Sequence, residues 1–189
     1  MSKLFVDEIV HQSSQGSGTI TLGASGETIN IPSGSTINLS NSTVTLNSDM
    51  KNRPAFRAYP SSGQTISSGT STVLQYNSET FDTDSCYDTS TYKFTPNVAG
   101  KYLFHLNTRV DTPDDYDHQE GKIAKNGSDI ARVLISPKHY DIISVTTLVE
   151  MNGTTDYVQG KLYQGSGSNK SVGTDQANLF FEGFRIIET

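Results

Sequence analysis

Tyr102, Phe104, Leu106, Thr108 and Val110 occupy every second position after Gly100. Period-two alternation of that length specifies a β-strand with one face buried. The lead-in from Tyr76 to Leu106 carries further aromatics, among them Tyr76, Tyr87 and Phe94. A strand with one apolar face needs partners in a sheet and a layer packed over it. The rest of the chain divides around this stretch, with a repetitive segment in front and further strands behind.

Composition agrees with an all-β chain. Of 189 residues, 33% are hydrophobic, and Thr, Ser, Asn and Gly dominate the polar remainder. Those residues suit strands and turns and are poor helix formers. The net charge of −6 leaves no basic patch to neutralise phosphates, so nucleic acid is not an expected partner. No run approaches the ~18 apolar residues of a membrane span, so membrane insertion is not expected either. The opening MSKLFVDEIVHQ mixes acids into a short apolar patch and does not read as a signal peptide. Production in a cytoplasm is the expectation. The single cysteine, Cys86, excludes an intramolecular disulfide framework and reads as a small, partly buried loop residue.

Residues 1–16 hold Leu4, Phe5, Val6, Ile9 and Val10 in an otherwise polar terminus. Such a segment either frays or is tied down by docking into something larger. Residues 17–53 contain four related units, TITL, TINI, TINL and TVTL, beginning at Thr19, Thr28, Thr36 and Thr43. Each unit offers only two apolar side chains: Ile20 and Leu22, Ile29 and Ile31, Ile37 and Leu39, Val44 and Leu46. Two per unit cannot offset the backbone entropy of ordering one chain alone. Three chains wound about one axis could point them at each other, which favours a slender trimeric β-stem closed by the hinge NSDMKNR. The competing reading is a flexible linker or an irregular meander.

Residues 54–189 read as strands at regular spacing: 55–59, 72–76, 92–94, 101–108, 122–125, 130–135, 140–151, 155–163 and 178–187. Asn126-Gly127 predicts a type I′ hairpin, and Asn152-Gly153 predicts a second. GSGSNKSVG (165–173) reads as a mobile loop. About ten short strands point to a sandwich or jelly roll.

Tyr76, Asp82, Tyr87, Phe94, Gly100, Tyr102 and Phe104 fall at the spacings of a family signature. An aromatic is followed at fixed intervals by Asn or Asp, an aromatic, Phe, and then G-x-Y-x-F-x-aromatic. In this pattern the chain resembles the C1q-type globular domain. Tyr76 stands where that family usually has Phe, and Leu106 where it usually has an aromatic. Lys125-Asn126-Gly127, the run from Ser144 to Val158 and the closing Phe181-Glu182-Gly183-Phe184 are similar to further family motifs. The resemblance implies a C1q/TNF-like ten-stranded jelly roll over 54–189 that forms a compact homotrimer. The opening M-S-K-L-F-V-D-E-I with G-T-I-T-L-G and S-G-S-T-I-N-L resembles small virion proteins of marine tailed phages, in which a C1q-like head follows a β-rich shaft.

No chemistry-bearing motif stands out. His11, His105, His118 and His139 have no metal-binding spacing. His105 falls on the face opposite Tyr102 and Phe104, which suits an interface or surface role. No G-x-S-x-G or P-loop is present. Asp111, Asp114, Asp115 and Asp117 lie in an acid-rich run that could offer Ca²⁺ its oxygen ligands, as some C1q-type trimers do near their apex, or simply form a solvated turn. Tyr87, Tyr116, Tyr140 and Tyr163 read as loop tyrosines able to bind partners or to pack between protomers.

The expectation is a non-enzymatic homotrimeric virion protein without a required cofactor. Residues 1–16 dock on other virion proteins, 17–53 form the stem, and 54–189 form a head whose outside partner is a host surface glycan or protein. Tail fibre and capsid decoration are alternative placements. A non-phage C1q-like ligand-binding protein is the rival, and an enzymatic tailspike would need a long solenoid with an acid pair. Substituting Ile29→Asp and Ile37→Asp together loosens the stem and leaves the head's melting transition in place. Loss of both transitions in a calorimetric scan would contradict the division.

Overall fold

The computed structural model describes residues 33–36, 51–111, 118–136 and 140–186. Ser33–Gly34 form a turn with Gly34 at φ 86°, in the connector PSGS. The apolar residues assigned to docking and to the stem core lie outside the described residues, as do Asp114, Asp115, Asp117, Tyr116, His11 and His139. The strands all belong to the unit Leu46–Thr189.

Among the described residues there are thirteen strands and no helix. They are β1 (Ala55–Tyr59), β2 (Gln64–Ile66), β3 (Thr72–Val73), β4 (Ser78–Asp82), β5 (Tyr87–Asp88), β6 (Lys93–Phe94) and β7 (Gly100–Thr108). After these come β8 (Gln119–Lys125), β9 (Ser128–Ile135), β10 (Ile143–Met151), β11 (Val158–Gln164), β12 (Lys170–Val172) and β13 (Phe180–Arg185). One sheet has the order β10-β7-β13-β1-β4 and the other β5-β6-β11-β8-β9, with β3 paired to β11. β12 and β2 form a separate ribbon. All pairings are antiparallel, and the two large sheets pack face to face as a jelly-roll sandwich.

The core is an aromatic cluster shared by the sheets. Phe56 of β1 stacks on Phe94 of β6 at 4.5 Å and on Tyr87 of β5 at 4.9 Å between ring centroids. Phe104 of β7 and Phe181 of β13 stack at 5.9 Å, and Phe94 meets Phe104 edge-on at 5.6 Å. Such pairs add about 0.5–1.5 kcal/mol each beyond their buried area. Gly183 on the central strand lies opposite Phe104 on one side and Phe56 on the other. A Cβ there would sit 2.5 Å from Phe104 Cδ1 and 2.9 Å from the Leu103 carbonyl oxygen. The F-x-G motif therefore alternates a large and an absent side chain along one face, so that neighbouring rings can lean over the gap. Across the sandwich, a Cβ on Gly160 would lie 2.9 Å from Leu106 Cδ1. Leu106, where the family pattern has an aromatic, is thus fitted against a glycine.

The other signature positions have equally local causes. The Asp82 carboxylate accepts the Tyr87 backbone N–H at 2.7 Å and shapes the turn between β4 and β5. The Tyr87 hydroxyl donates to the Tyr76 carbonyl at 2.8 Å, and the Tyr76 hydroxyl donates to the Asn107 carbonyl at 2.8 Å. Burial pushes both phenols well above their ordinary titration range. They remain donors, so tyrosine at position 76 adds a bond that phenylalanine could not make. The Tyr102 hydroxyl closes the turn before β7 by donating to the Val98 carbonyl at 2.7 Å.

Several expectations need correction. The jelly roll has thirteen strands, because β2, β4, β5 and β12 are additional to the strands read from the sequence. The run 165–173 is not wholly a loop. Lys170–Val172 pair with β2, and Val172 and Ile66 of the ribbon are both buried. Asn126-Gly127 does form the expected tight hairpin between β8 and β9, with φ of 51° and 85°. Asn152-Gly153 does not, since β10 pairs with β7 while β11 pairs with β8. The Asn152 Oδ1 instead accepts the backbone N–H groups of Thr154, Thr155 and Asp156, each at 3.0 Å, in an Asx turn. Tyr87 and Tyr163 lie in strands rather than loops.

Gly183→Ala forces the Phe104 ring aside and lowers the unfolding free energy by about 1–3 kcal/mol in urea denaturation. An unchanged midpoint would contradict the close-approach explanation.

Candidate functional site

An antiparallel sheet in a sandwich ordinarily keeps its outer face polar. The β5-β6-β11-β8-β9 sheet obeys this along its middle. Lys122 pairs with Glu120 at 2.9 Å and with Asp129 at 3.5 Å, and Lys161 pairs with Asp129 at 2.9 Å. The outer face of the β10-β7-β13-β1-β4 sheet differs. The register aligns Leu148, Leu103, Phe184 and Ala55 in one row across four strands. Next to it runs Thr146, His105, Glu182, Arg57 and Phe81 across all five. The third row holds Ser144, Asn107 and Phe180.

Two apolar ends therefore flank a charged middle. Leu148 is 62% exposed, Phe81 46% and Phe184 39%. These side chains lie far apart in sequence and share one sheet face only because the strands are neighbours. A groove of about 540 Å³ opens on this face, lined by Phe81, Leu103, His105, Thr146, Glu182 and Phe184 among others. The groove brings apolar side chains of one sheet face together and makes that face the candidate contact surface.

The middle row is held by hydrogen bonds and charge. The Glu182 carboxylate accepts from the Arg57 guanidinium through Oε2 and lies 3.2 Å from His105 Nδ1 through Oε1. His105 Nε2 lies 2.9 Å from the Ser144 hydroxyl. The Arg57 guanidinium also covers the Phe180 ring at 3.7 Å, and His105 meets that ring edge-on at 5.1 Å. Cross-strand opposite charges and cation–ring contacts each contribute on the order of 0.5–1 kcal/mol.

A second exposed apolar group lies on β9 and ahead of β10. Ile130 and Leu134, on either side of the exposed Arg132, and Tyr140 and Ile142 are its apolar members. β9 and β10 are the end strands of the two sheets. This patch is thus at an edge of the sandwich, unlike the first.

The candidate residues of the head separate into two groups. Tyr76, Tyr87, Phe94, Tyr102, Phe104 and Phe181 are buried in the core, Gly183 is enclosed with them, and Asp82 and Gly100 shape turns and strand starts. Phe184 does not belong with the core. It alternates away from Gly183 onto the outer face, where 39% of it is exposed. His105 lies on the outer face, as its position opposite Tyr102 predicts. Asp111 lies 3.8 Å from Arg109 Nε, which also pairs through Nη2 with Asp175 at 3.2 Å. Among the described residues no three His, Cys, Asp or Glu side chains converge as a metal site. Cys86 is buried, and burial pushes its thiol up. The outer-face rows were missed in the sequence although β13 carries a signal: in F-F-E-G-F both faces of one strand receive phenylalanine.

Neither a family model nor a curated protein matches this sequence. Solved structures do match. The globular domain of zebrafish complement 1qA protein is similar, with a TM-score of 0.51 at 15% identity, covering 72% of this chain and 100% of that one. Murine APRIL is similar with a TM-score of 0.56 at 10% identity, covering 70% of this chain and 98% of that one. Eiger TNF from S. frugiperda is similar with a TM-score of 0.52 at 10% identity, covering 72% and 96%. At such identities the likeness shows the fold. The head is a C1q/TNF-like jelly roll.

Proposed function

We propose that this chain is a non-enzymatic, homotrimeric structural protein of a phage virion, a fibre-type tail component that holds a C1q/TNF-like head away from the particle. The observation that carries the trimer is the apolar outer face of the β10-β7-β13-β1-β4 sheet. Its Leu148, Leu103, Phe184 and Phe81 side chains would remain in water on an isolated protomer. The edge patch of Ile130, Leu134, Tyr140 and Ile142 supplies a second, different surface. A face that packs on an edge makes a heterologous contact, and repetition of such a contact about one axis closes a ring. Three copies satisfy both surfaces and also suit the four-unit repeat of 17–53.

The virion role rests on that repeat and on the terminal resemblance. Residues 1–16 dock on a neighbouring virion protein, and the head meets a host surface glycan or protein. Capsid decoration uses the same architecture at another place on the particle. The solved complement and TNF-type structures equally support a C1q-like ligand-binding protein outside any virion. For that role the same trimer would present its loops to a ligand.

Light scattering tests the trimer. The wild-type chain is expected at three times the protomer mass, and Phe184→Asp at the protomer mass with its β-sheet circular dichroism retained. A wild-type monomer would contradict the reading. For the virion placement, deletion of residues 1–16 is expected to abolish incorporation into particles while leaving the trimer intact. Normal incorporation of the truncated chain would rule out the docking role.

A further inference from the structure

We infer that the trimer carries a proton-sensitive lock in the row His105–Glu182–Arg57, which loosens its protomers as the solution is acidified. The inference rests on the homotrimer reading above, because it requires this face to be covered by a sister copy.

Histidine changes charge between about pH 5 and pH 8. The charged groups facing His105 are Glu182 on β13 and Arg57 on β1. From β10 it faces the hydroxyls of Ser144 and Thr146, and Phe81 of β4 ends the row. With a neutral ring, Nδ1–H donates to Glu182 Oε1 and the Ser144 hydroxyl donates to Nε2. Both ring nitrogens are then satisfied, and the Arg57 charge cancels that of Glu182. The row is neutral and fully bonded, which is the state in which a polar group can be buried at small cost.

Protonation leaves the hydrogen bonds intact, since Nε2–H can donate to the Ser144 oxygen. It adds a positive charge that nothing in the row balances, because Arg57 already occupies the other oxygen of Glu182. On a free protomer these side chains are a quarter to a third exposed, and water screens the extra charge. In the trimer a covering protomer displaces that water, and an uncompensated charge is costly there. Proton uptake therefore favours separation. Each protomer takes up at most one proton, so the association constant of three falls by up to about 1000-fold per pH unit.

The net charge of the molecule pulls the other way. The chain carries −6 near neutrality, and acidification reduces repulsion among three copies. Weakening at low pH therefore runs against the general charge effect, and the His105 variants assign it to the row.

Subunit exchange provides the test. Two populations of the full-length protein, labelled at the amino terminus with donor and acceptor dyes, are mixed at about pH 8 and about pH 5.5 at equal ionic strength. Wild type is expected to exchange at least about tenfold faster at the lower pH. His105→Gln, with His105→Leu as the second variant, is expected to change less than about twofold. Equal acceleration in wild type and both variants, or none in wild type, would overturn the lock while leaving the trimer. Single-protomer mass at about pH 8 would overturn the homotrimer reading and the lock together.

Discussion

Gly183 lets the ring of Phe104 close over the centre of one sheet. Phe56, paired with Gly183 from the other side, stacks on Phe94 and Tyr87 of the opposite sheet, so the two layers meet at this point. The same strand must alternate, and this has a consequence outside the core. With Phe181 and Gly183 turned inward, Phe180, Glu182 and Phe184 fall on the other face, where Arg57 and His105 cover Phe180. The motif that builds the core therefore also writes the central column of the outer face.

That outer face is where fold becomes function. A sandwich that covered itself would carry ion pairs on both outer faces, as the sheet bearing Lys122, Asp129 and Lys161 does. The other sheet instead exposes Leu148, Phe81 and Phe184 around a charged row that is already internally satisfied. Satisfied polar groups among apolar ones are compatible with burial, and unsatisfied ones are not. The arrangement is compatible with the contact between sister protomers proposed above.

Much of the fold was legible because its strongest elements declare themselves locally. β7 alternates over nine residues with one face buried, and Asn126-Gly127 has the only backbone freedom a type I′ turn accepts. β4, β2 and β12 were not legible. β4 is a polar edge strand without alternation, and β12 lies inside a Ser/Gly-rich run whose one core residue is Val172. Asn152-Gly153 misled because the dipeptide is equally suited to an Asx turn, and only strand pairing distinguishes the two. The closing F-x-G-F motif by itself does not separate the sides of its two phenylalanines. The side of Phe184 follows from the period-two rule applied past Gly183. The charged row could not be read at all, since Arg57, His105 and Glu182 meet only when three strands distant in sequence become neighbours.

The central claim is that sister protomers cover this sheet face. Hydroxyl-radical footprinting of the assembled protein measures it side chain by side chain. Phe81, Leu148 and Phe184 are predicted to be protected to the level of the buried Phe181. Modification of all three at rates typical of half-exposed side chains, with Phe181 protected, would show the face open to water and contradict the account.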